Sequence, residues 1–442
     1  MFTIVAFVAF IFTDQLNSIL IPGFSGVEKS LTNQLTQIIL VGQILLVVGS
    51  LFMGIAQSYQ RFIVSSLAPL FYNVGIILGI IFLTPHFGII GLGFGVILGA
   101  FLHILVQVPV VRSLGFRYKF SFNFFNSGVR EVVKLMSVRN IGLAVEQLND
   151  AVGIALASLV SYSSVTLFTF AQQLQTVPIG LFGVTIAQAA LPVLSREHAK
   201  EAGPEFKITM LTTLHQILFL TLPAAVFLIV LRIPIVRLVF GAAQFNWSDT
   251  VLTGRTLAFL AVGLAAQSVV QLLVRGFYAL KDTKTPVIVS FITVFLNISL
   301  SIFFVVVAHL QVWSLGVSYS IATIMSFFLL LYFLDKKVGG FNDKDLILPA
   351  AKMLLAAFVA AIALYIPMKS LDQLIFDTTK TGNLILLTGI ATIIGIGIYI
   401  LLVWLMKVKE LYAFGELIKK FAHLQSSLKT EEVVTESPGN TI

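Results

Sequence analysis

Three charges, Arg139, Glu146 and Asp150, stand in the otherwise apolar run RNIGLAVEQLNDAVG. Glu146 and Asp150 are four residues apart, so a helix carries them on one face a single turn apart, and Arg139 lies one seven-residue step earlier along that face. A charge at the centre of a membrane helix costs about 2.5–3.5 kcal/mol, so such a stripe faces protein or a water-filled cavity. It can bind a coupling cation, guide a charged substrate or hold a neighbouring helix by ion pairing, and the spacing is compatible with each. Gln172, Gln173 and Gln175 form a second polar cluster, either a hydrogen-bonding wall or ordinary packing. Arg275 sits near the end of another apolar run, where its stem can snorkel to the interface. With Lys281, Asp282 and Lys284 just beyond, it forms a charged group that is a candidate cytoplasmic gate or anchor.

Stepping out from these residues, the chain that must position them is 58% hydrophobic and 11% charged over 442 residues, with mean hydropathy +0.99. A soluble domain carries about a quarter of its residues as charges, so the polar surface here is too small to cover a body in water. Lipid is the main solvent. With no cysteine, thiolate metal sites, disulfides and cysteine nucleophiles are excluded. The six histidines are scattered outside any HExxH-type pair, so no metal or cofactor is expected on this basis.

A span needs roughly 20 apolar residues in helical form. Twelve such stretches are predicted, near residues 1–21, 35–58, 62–83, 88–111, 132–160, 164–190, 211–231, 253–278, 287–308, 312–334, 347–367 and 383–406. The opening MFTIVAFVAFIF lacks the basic start and small-residue cleavage site of a signal peptide, so it reads as an ordinary span whose preceding residues lie outside the sequence. On alternating sides of these spans the Lys and Arg counts are sixteen and six, which makes the first side cytoplasmic and puts both termini there. The net charge of +8 then fits a basic inner face against anionic phospholipids, and no nucleic-acid-binding motif competes with that account. GFGVILG, at Gly93 to Gly99, sits within a span and lacks a phosphate-loop lysine, so its glycines are expected to pack helices closely.

The stretch NVGIILGIIFLTPHFGIIGLGFGVILGAF from Asn73 aligns with NISLSIFFVVVAHLQVWSLGVSYSIATIM from Asn297, and Gly54 falls opposite Gly276. The copies are six spans apart and cross the membrane in the same direction. Such a parallel repeat is expected to relate two lobes by an axis along the membrane normal, around a cleft that opens to either side in turn. Phe116 to Phe124 alternates aromatic and polar residues, as an extended strip in the interface would. ELIKKFAHLQSSL could form an amphipathic surface helix, and the last residues have the composition of a disordered tail. Pro22, Pro178, Pro192 and Pro223, within or at the ends of spans, permit kinks.

Several segments are more specific: IPGF from Ile21, YQRF from Tyr59, APLFYNVGII from Ala68, VPIGLFGVTIAQAALPVLS from Val177 and RGFYALKDTKTPV from Arg275. In these the chain resembles the MurJ/MviN family of lipid II flippases, from about residue 1 to 410. The resemblance implies an all-α polytopic protein of two pseudo-symmetric lobes around a central cleft, in the bacterial cytoplasmic membrane. It implies movement of undecaprenyl-pyrophosphate-linked disaccharide-pentapeptide from the inner to the outer leaflet, with no covalent bond broken and cell-wall synthesis proteins as neighbours. The family has fourteen spans, and the first span here corresponds to its third, so the arginines of the family's first two spans have no counterpart. Where the family tends to place an acidic–arginine pair this chain has Gln172 and Gln173, which offer hydrogen bonds without net charge. Some members are similar to cation-coupled transporters, and Asp150 and Asn297 are the nearest counterparts of their monovalent-cation site. Coupling to such a cation or to the membrane potential is the corresponding expectation.

The expected organisation is a first-lobe part over 1–111, a basic loop over 112–131, further first-lobe helices over 132–190, a second-lobe core over 191–334, two last spans over 335–410 and a cytoplasmic tail over 411–442. Export of another polyprenyl-linked glycan, a non-transporting scaffold for wall synthesis and an embedded glycosyltransferase are the alternatives. The loops are too short to hold the substrate domain that the last of these needs.

Overall fold

A computed structural model describes residues 2–116, 127–199, 203–241, 245–374, 380–412 and 414–415, with backbone only for 127–129, 131–143, 199 and 372–374. The proposed aromatic strip beyond Phe116, the surface helix after Gly415 and the tail lie outside these residues. All regular structure among the described residues is helical. The helices are α1 (Phe2–Ile11), α2 (Thr13–Leu20), α3 (Gly26–Ser58), α4 (Phe62–Leu78), α5 (Thr84–Phe87), α6 (Ile90–Leu105), α7 (Val108–Ser113), α8 (Ser127–Val160) and α9 (Tyr162–Pro178). There follow α10 (Thr185–Ala199), α11 (Gly203–Val230), α12 (Arg232–Phe240), α13 (Trp247–Val262), α14 (Leu264–Ala279), α15 (Lys284–Ile302), α16 (Trp313–Val338), α17 (Asp343–Leu374) and α18 (Thr381–Leu405). Three π-helical segments, Gly79–Leu83, Ile179–Val184 and Phe303–Val307, interrupt the α geometry.

Long apolar runs become helices here because lipid offers no partner to a free backbone group. The same pressure acts on hydroxyls. Thr221, Thr256 and Ser268 each donate to the carbonyl four residues earlier, at 2.7, 2.8 and 2.9 Å, so none arrives at a helix surface unsatisfied. Polar caps appear at the ends: Asn246 accepts from the Asp249 amide at 2.8 Å to start α13, and Gly339, at φ +78°, closes α16 in the left-handed conformation.

Among the described residues nine helices, counting those continued through π segments, are long and apolar enough to span a membrane, and eleven spans result if two bent pairs are included. The pairs are α1 with α2, bent by 81°, and α13 with α14, bent by 44°. These are eleven of the twelve predicted stretches. The twelfth falls on α8, a helix of 34 residues that is not in that set and carries Glu146, Gln147, Asn149 and Asp150 within two turns.

Contacts divide the chain into a first unit, 1–141 with 154–162, and a second, 142–153 with 163–442. Residues 142–153 and 163–190, expected in the first lobe, therefore pack with the second unit. Hydropathy is alike in the two halves and does not say which partners a span will choose.

In the first unit α3 and α4 both pack on α6 through glycine. A Cβ added at Gly75 would lie 2.2 Å from the Gly99 Cα, and one at Gly79 would lie 2.2 Å from the Gly95 Cα. The GFGVILG run thus serves the close packing expected of it. Gly23 of the IPGF segment is equally constrained, since its Cβ would fall 1.8 Å from the Ser158 carbonyl oxygen.

The second unit has a large apolar core among α10, α11, α14 and α16, built on Leu194, Met210, Leu272, Phe277 and Leu334. The last two helices join it through Met353, Ala356, Ala360 and Val403, and the buried Tyr399 hydroxyl donates to the Phe219 carbonyl at 2.9 Å. The repeat is visible in both units. α15 packs on α16 as α4 packs on α6, and in each copy a π segment starts six residues after the aligned asparagine, at Gly79 and at Phe303.

Asp282 ties the turn between α14 and α15 to the end of α16. Its carboxylate accepts from the Lys284 and Thr285 amides at 3.0 and 3.1 Å, from the Thr285 hydroxyl at 2.8 Å and from the Lys337 ammonium. Burial by itself raises the Asp282 pKa, but the Lys337 and Thr285 hydrogen bonds outweigh it and hold the group at about 2. A depressed folded-state pKa gives stability that is complete above the ordinary carboxylate range, near 4, and is lost as pH falls toward 2. Asp282→Asn is expected to cost about 1 kcal/mol at neutral pH, read from thermal unfolding in detergent, with the gap from the unaltered protein closing between about pH 4 and 2. A gap of constant size across that range would show that the carboxylate charge has no part in it.

Gly99→Val should force α4 and α6 apart and cost about 1–3 kcal/mol, while Gly54→Ala, whose added Cβ meets nothing within 4 Å, should be neutral or slightly stabilising. Equal unfolding midpoints for the two variants would contradict the close-packed seam.

Candidate functional site

A polar cavity of the second unit is lined by residues from four helices, each giving one face. From α8 come Glu146, Asn149 and Asp150, at spacings of three and four. α14 gives Gln267, Val270 and Gln271, α15 gives Ser290, Thr293, Val294 and Asn297, and α16 gives Tyr319, Ala322, Thr323 and Ser326. All repeat with helical period, so the polar groups converge while the opposite faces stay apolar. The cavity holds about 210 Å³. A much smaller space of about 10 Å³ shares Asn149, Asp150, Asn297 and Tyr319 with it and adds Gly153, Phe168, Gln172, Ser301 and Leu315.

Asn297 is the best-held of these polar groups. It is 8% exposed, and its Nδ2 donates to Asn149 Oδ1 at 2.7 Å. Its own Oδ1 is buried with no hydrogen-bond partner among the described residues. One turn on, the Ser301 and Ser318 hydroxyls lie 2.6 Å apart and Ser318 donates to the Leu315 carbonyl at 3.0 Å. Among the described residues no Lys, Arg or His lines either space, and Glu146 and Asp150 bring carboxylates to it. The described residues hold no cluster of three His, Cys, Asp or Glu that could grip a metal ion; the oxygens present are amide, hydroxyl and carboxylate, which suit hard monovalent cations and hydrogen-bonding ligands.

Among the residues singled out from sequence, Glu146, Asp150 and Asn297 meet at one site, and Gln172 joins Asp150 and Asn297 at the smaller space. Gln173 is exposed and lines neither space. Gln175, 3% exposed, donates to the Leu260 carbonyl at 2.8 Å and serves packing. The Arg139 side chain lies outside the described residues. Arg275 donates to the carbonyl and side-chain oxygens of Gln271 at 2.7 and 3.3 Å, one turn from the cavity wall, and does not itself line it. The Lys281 and Lys284 residues are exposed, and the Asp282 carboxylate is committed to the hydrogen bonds described above.

The wall residues missed by sequence are Asn149, Gln267, Gln271, Ser290, Thr293, Tyr319, Thr323 and Ser326. Their signal was the three-to-four spacing of neutral polar residues within α14, α15 and α16, weaker to the eye than charge. The repeat gives a second signal. In its alignment Gly95 and Gly99, glycines of the first unit's helix seam, stand opposite Tyr319 and Thr323 of the cavity wall.

Comparisons with known proteins agree with this architecture. A probable lipid II flippase MurJ from Buchnera aphidicola subsp. Schizaphis graminum is 27% identical over 395 residues, 87% of this chain and 76% of the relative. One from Thermotoga maritima is 26% identical over 420 residues, 95% of this chain and 80% of the relative. A solved structure described as lipid II flippase MurJ in an inward closed conformation shares the fold, with a TM-score of 0.76 at 24% identity over 92% of this chain and 80% of that one. The family model described as lipid II flippase MurJ matches residues 1–387, and the chain belongs to that family.

Proposed function

We propose that this chain moves lipid II, an undecaprenyl-pyrophosphate-linked disaccharide-pentapeptide, from the inner to the outer leaflet of the bacterial cytoplasmic membrane by alternating access, with its C-terminus in the cytoplasm. The observation that carries this reading is a polar cavity walled by faces of four helices in a membrane-spanning chain of the MurJ family. A sugar-peptide head group entering a bilayer loses its hydration, and the amides and hydroxyls of the cavity replace part of it. The polyprenyl tail stays in lipid and needs no polar path. No bond is made or broken, so the protein's role is to hold the head group and change facing. The excess of Lys and Arg on one side of the spans supports the orientation and contact with anionic phospholipids there.

Coupling to a monovalent cation fits the same wall. Asp150, Asn149 and Asn297 carry oxygens that can ligate a cation, with Ser301 and Ser318 one turn on, and Asn297 Oδ1 is a buried acceptor with no hydrogen-bond partner among the described residues. A cation held there supplies charge that favours one facing over the other, by as much as its affinities for the two differ.

In cells depleted of their own flippase, Glu146→Gln combined with Asp150→Asn is expected to lower the surface appearance of lipid II at least about tenfold at normal expression, a barrier change of about 1.4 kcal/mol. Unchanged flipping at every pH and membrane potential tested would remove these carboxylates from the mechanism. Asn297→Ala should flatten the dependence of flipping on sodium or potassium concentration. A dependence as steep as in the unaltered protein would place the cation elsewhere.

A further inference from the structure

The span formed by α13 and α14 is broken at Gly263 and bent by 44°. Helices kink at proline or glycine, at a π segment, or where a side chain enters the i→i−4 ladder. No proline or π segment lies between Trp247 and Ala279. What enters the ladder is the Ser320 hydroxyl of α16. It accepts from the Gly263 amide at 3.1 Å and donates to the Phe259 carbonyl at 2.5 Å, the two groups that a continuous helix would bond to each other. The next carbonyl, that of Leu260, takes the side-chain amide of Gln175 from α9 at 2.8 Å, so both carbonyls at the break have partners. We propose that Ser320 is a positioning residue, whose hydroxyl opens this span and so sets the axis on which Gln267 and Gln271, one and two turns past the break, reach the cavity wall. The inference rests on the flippase reading only for what that wall does.

The internal repeat supplies a control. The first copy of this span is α3, one unbroken helix of 33 residues. It too meets its neighbour through a glycine: Gly42 lies against Val96, the residue aligned with Ser320, and a Cβ added at Gly42 would be 3.4 Å from the Val96 Cγ1. In the second copy a Cβ added at Gly263 would be 2.9 Å from the Ser320 Oγ. Glycine at the contact is therefore common to both copies, and the helix is open only where a hydroxyl stands opposite. Valine has neither donor nor acceptor to exchange for a backbone bond, whereas serine has both. Ser320 is 4% exposed, so its hydroxyl meets protein groups and not solvent, and one backbone bond gives way to two bonds through its oxygen. Ser320 directly follows Tyr319 of the cavity wall, so α16 both lines the cavity and turns the helix that brings Gln267 and Gln271 to it.

The test is the distance across the break, read by electron paramagnetic resonance from spin labels on Trp247→Cys and Tyr278→Cys in the full chain, which has no cysteine of its own. Both positions are exposed. At a rise of about 1.5 Å per residue, straightening the 44° bend lengthens the separation by about 3 Å. Ser320→Ala and Ser320→Val should show that increase with unfolding midpoints near the original, and Ser320→Thr, which has the shape of valine but keeps the hydroxyl, should show the original distance. An unchanged distance in folded Ser320→Ala, or equal lengthening in Ser320→Thr and Ser320→Val, would overturn the proposal. The alanine comparison stands even if the two larger variants do not fold. Lipid II flipping is measured separately in vesicles, where Ser320→Ala should lower it about tenfold or more. A lengthened span with unchanged flipping refutes the positioning role, and absence of flipping by the unaltered protein refutes only the flippase reading.

Discussion

Lipid cannot hydrogen-bond, and most of what is seen in this chain follows from that single constraint. Backbone groups are satisfied within helices, Thr and Ser hydroxyls turn back on carbonyls of their own helix, and glycine brings helices together where apolar attraction between them gives little. The same constraint gives the polar residues that remain a common destination. A Gln, Asn or Glu on a helix face turned to lipid is costly, so the polar faces of α8, α14, α15 and α16 meet each other and enclose a cavity. Packing and site are two results of one solvent.

How far the sequence made this legible depends on the range of the forces involved. Spans follow from composition over about 20 residues, a local property, and eleven of the predicted stretches are found as apolar helices or bent pairs. Glu146 and Asp150 stood out because a charge in an apolar run is conspicuous without any partner, and Asn297 entered through the resemblance to cation-coupled members of the family. What could not be read was partnership. Gln172, Gln173 and Gln175 look alike in a string, yet one borders the small space, one is exposed and one is fixed to the Leu260 carbonyl. Those fates depend on the angular position of each residue and on which helix lies opposite, and hydropathy carries neither. Contacts group 163–190 with the second unit, a partnership that hydropathy does not carry.

The internal repeat sets the cavity's helices in comparison with a closed seam of the same plan. Both copies have the same backbone plan, an aligned asparagine, a π segment six residues on, and a following helix packed against the first. In the first unit the facing positions are glycines, Gly75 and Gly79 against Gly95 and Gly99, and the backbones come so close that an added Cβ would overlap a neighbouring Cα. In the second unit the positions aligned with Gly95 and Gly99 are Tyr319 and Thr323. Tyr319 and Thr323 belong to the cavity wall, whereas Gly95 and Gly99 lie against the backbone of the neighbouring helix. Asn73 is exposed in the first unit, whereas Asn297 is buried against Asn149. One helical plan therefore accompanies a closed glycine seam in the first copy and a polar wall in the second, where the four aligned positions are Ser299, Phe303, Tyr319 and Thr323, and the chemistry of the second copy belongs to its side chains more than to the fold they share.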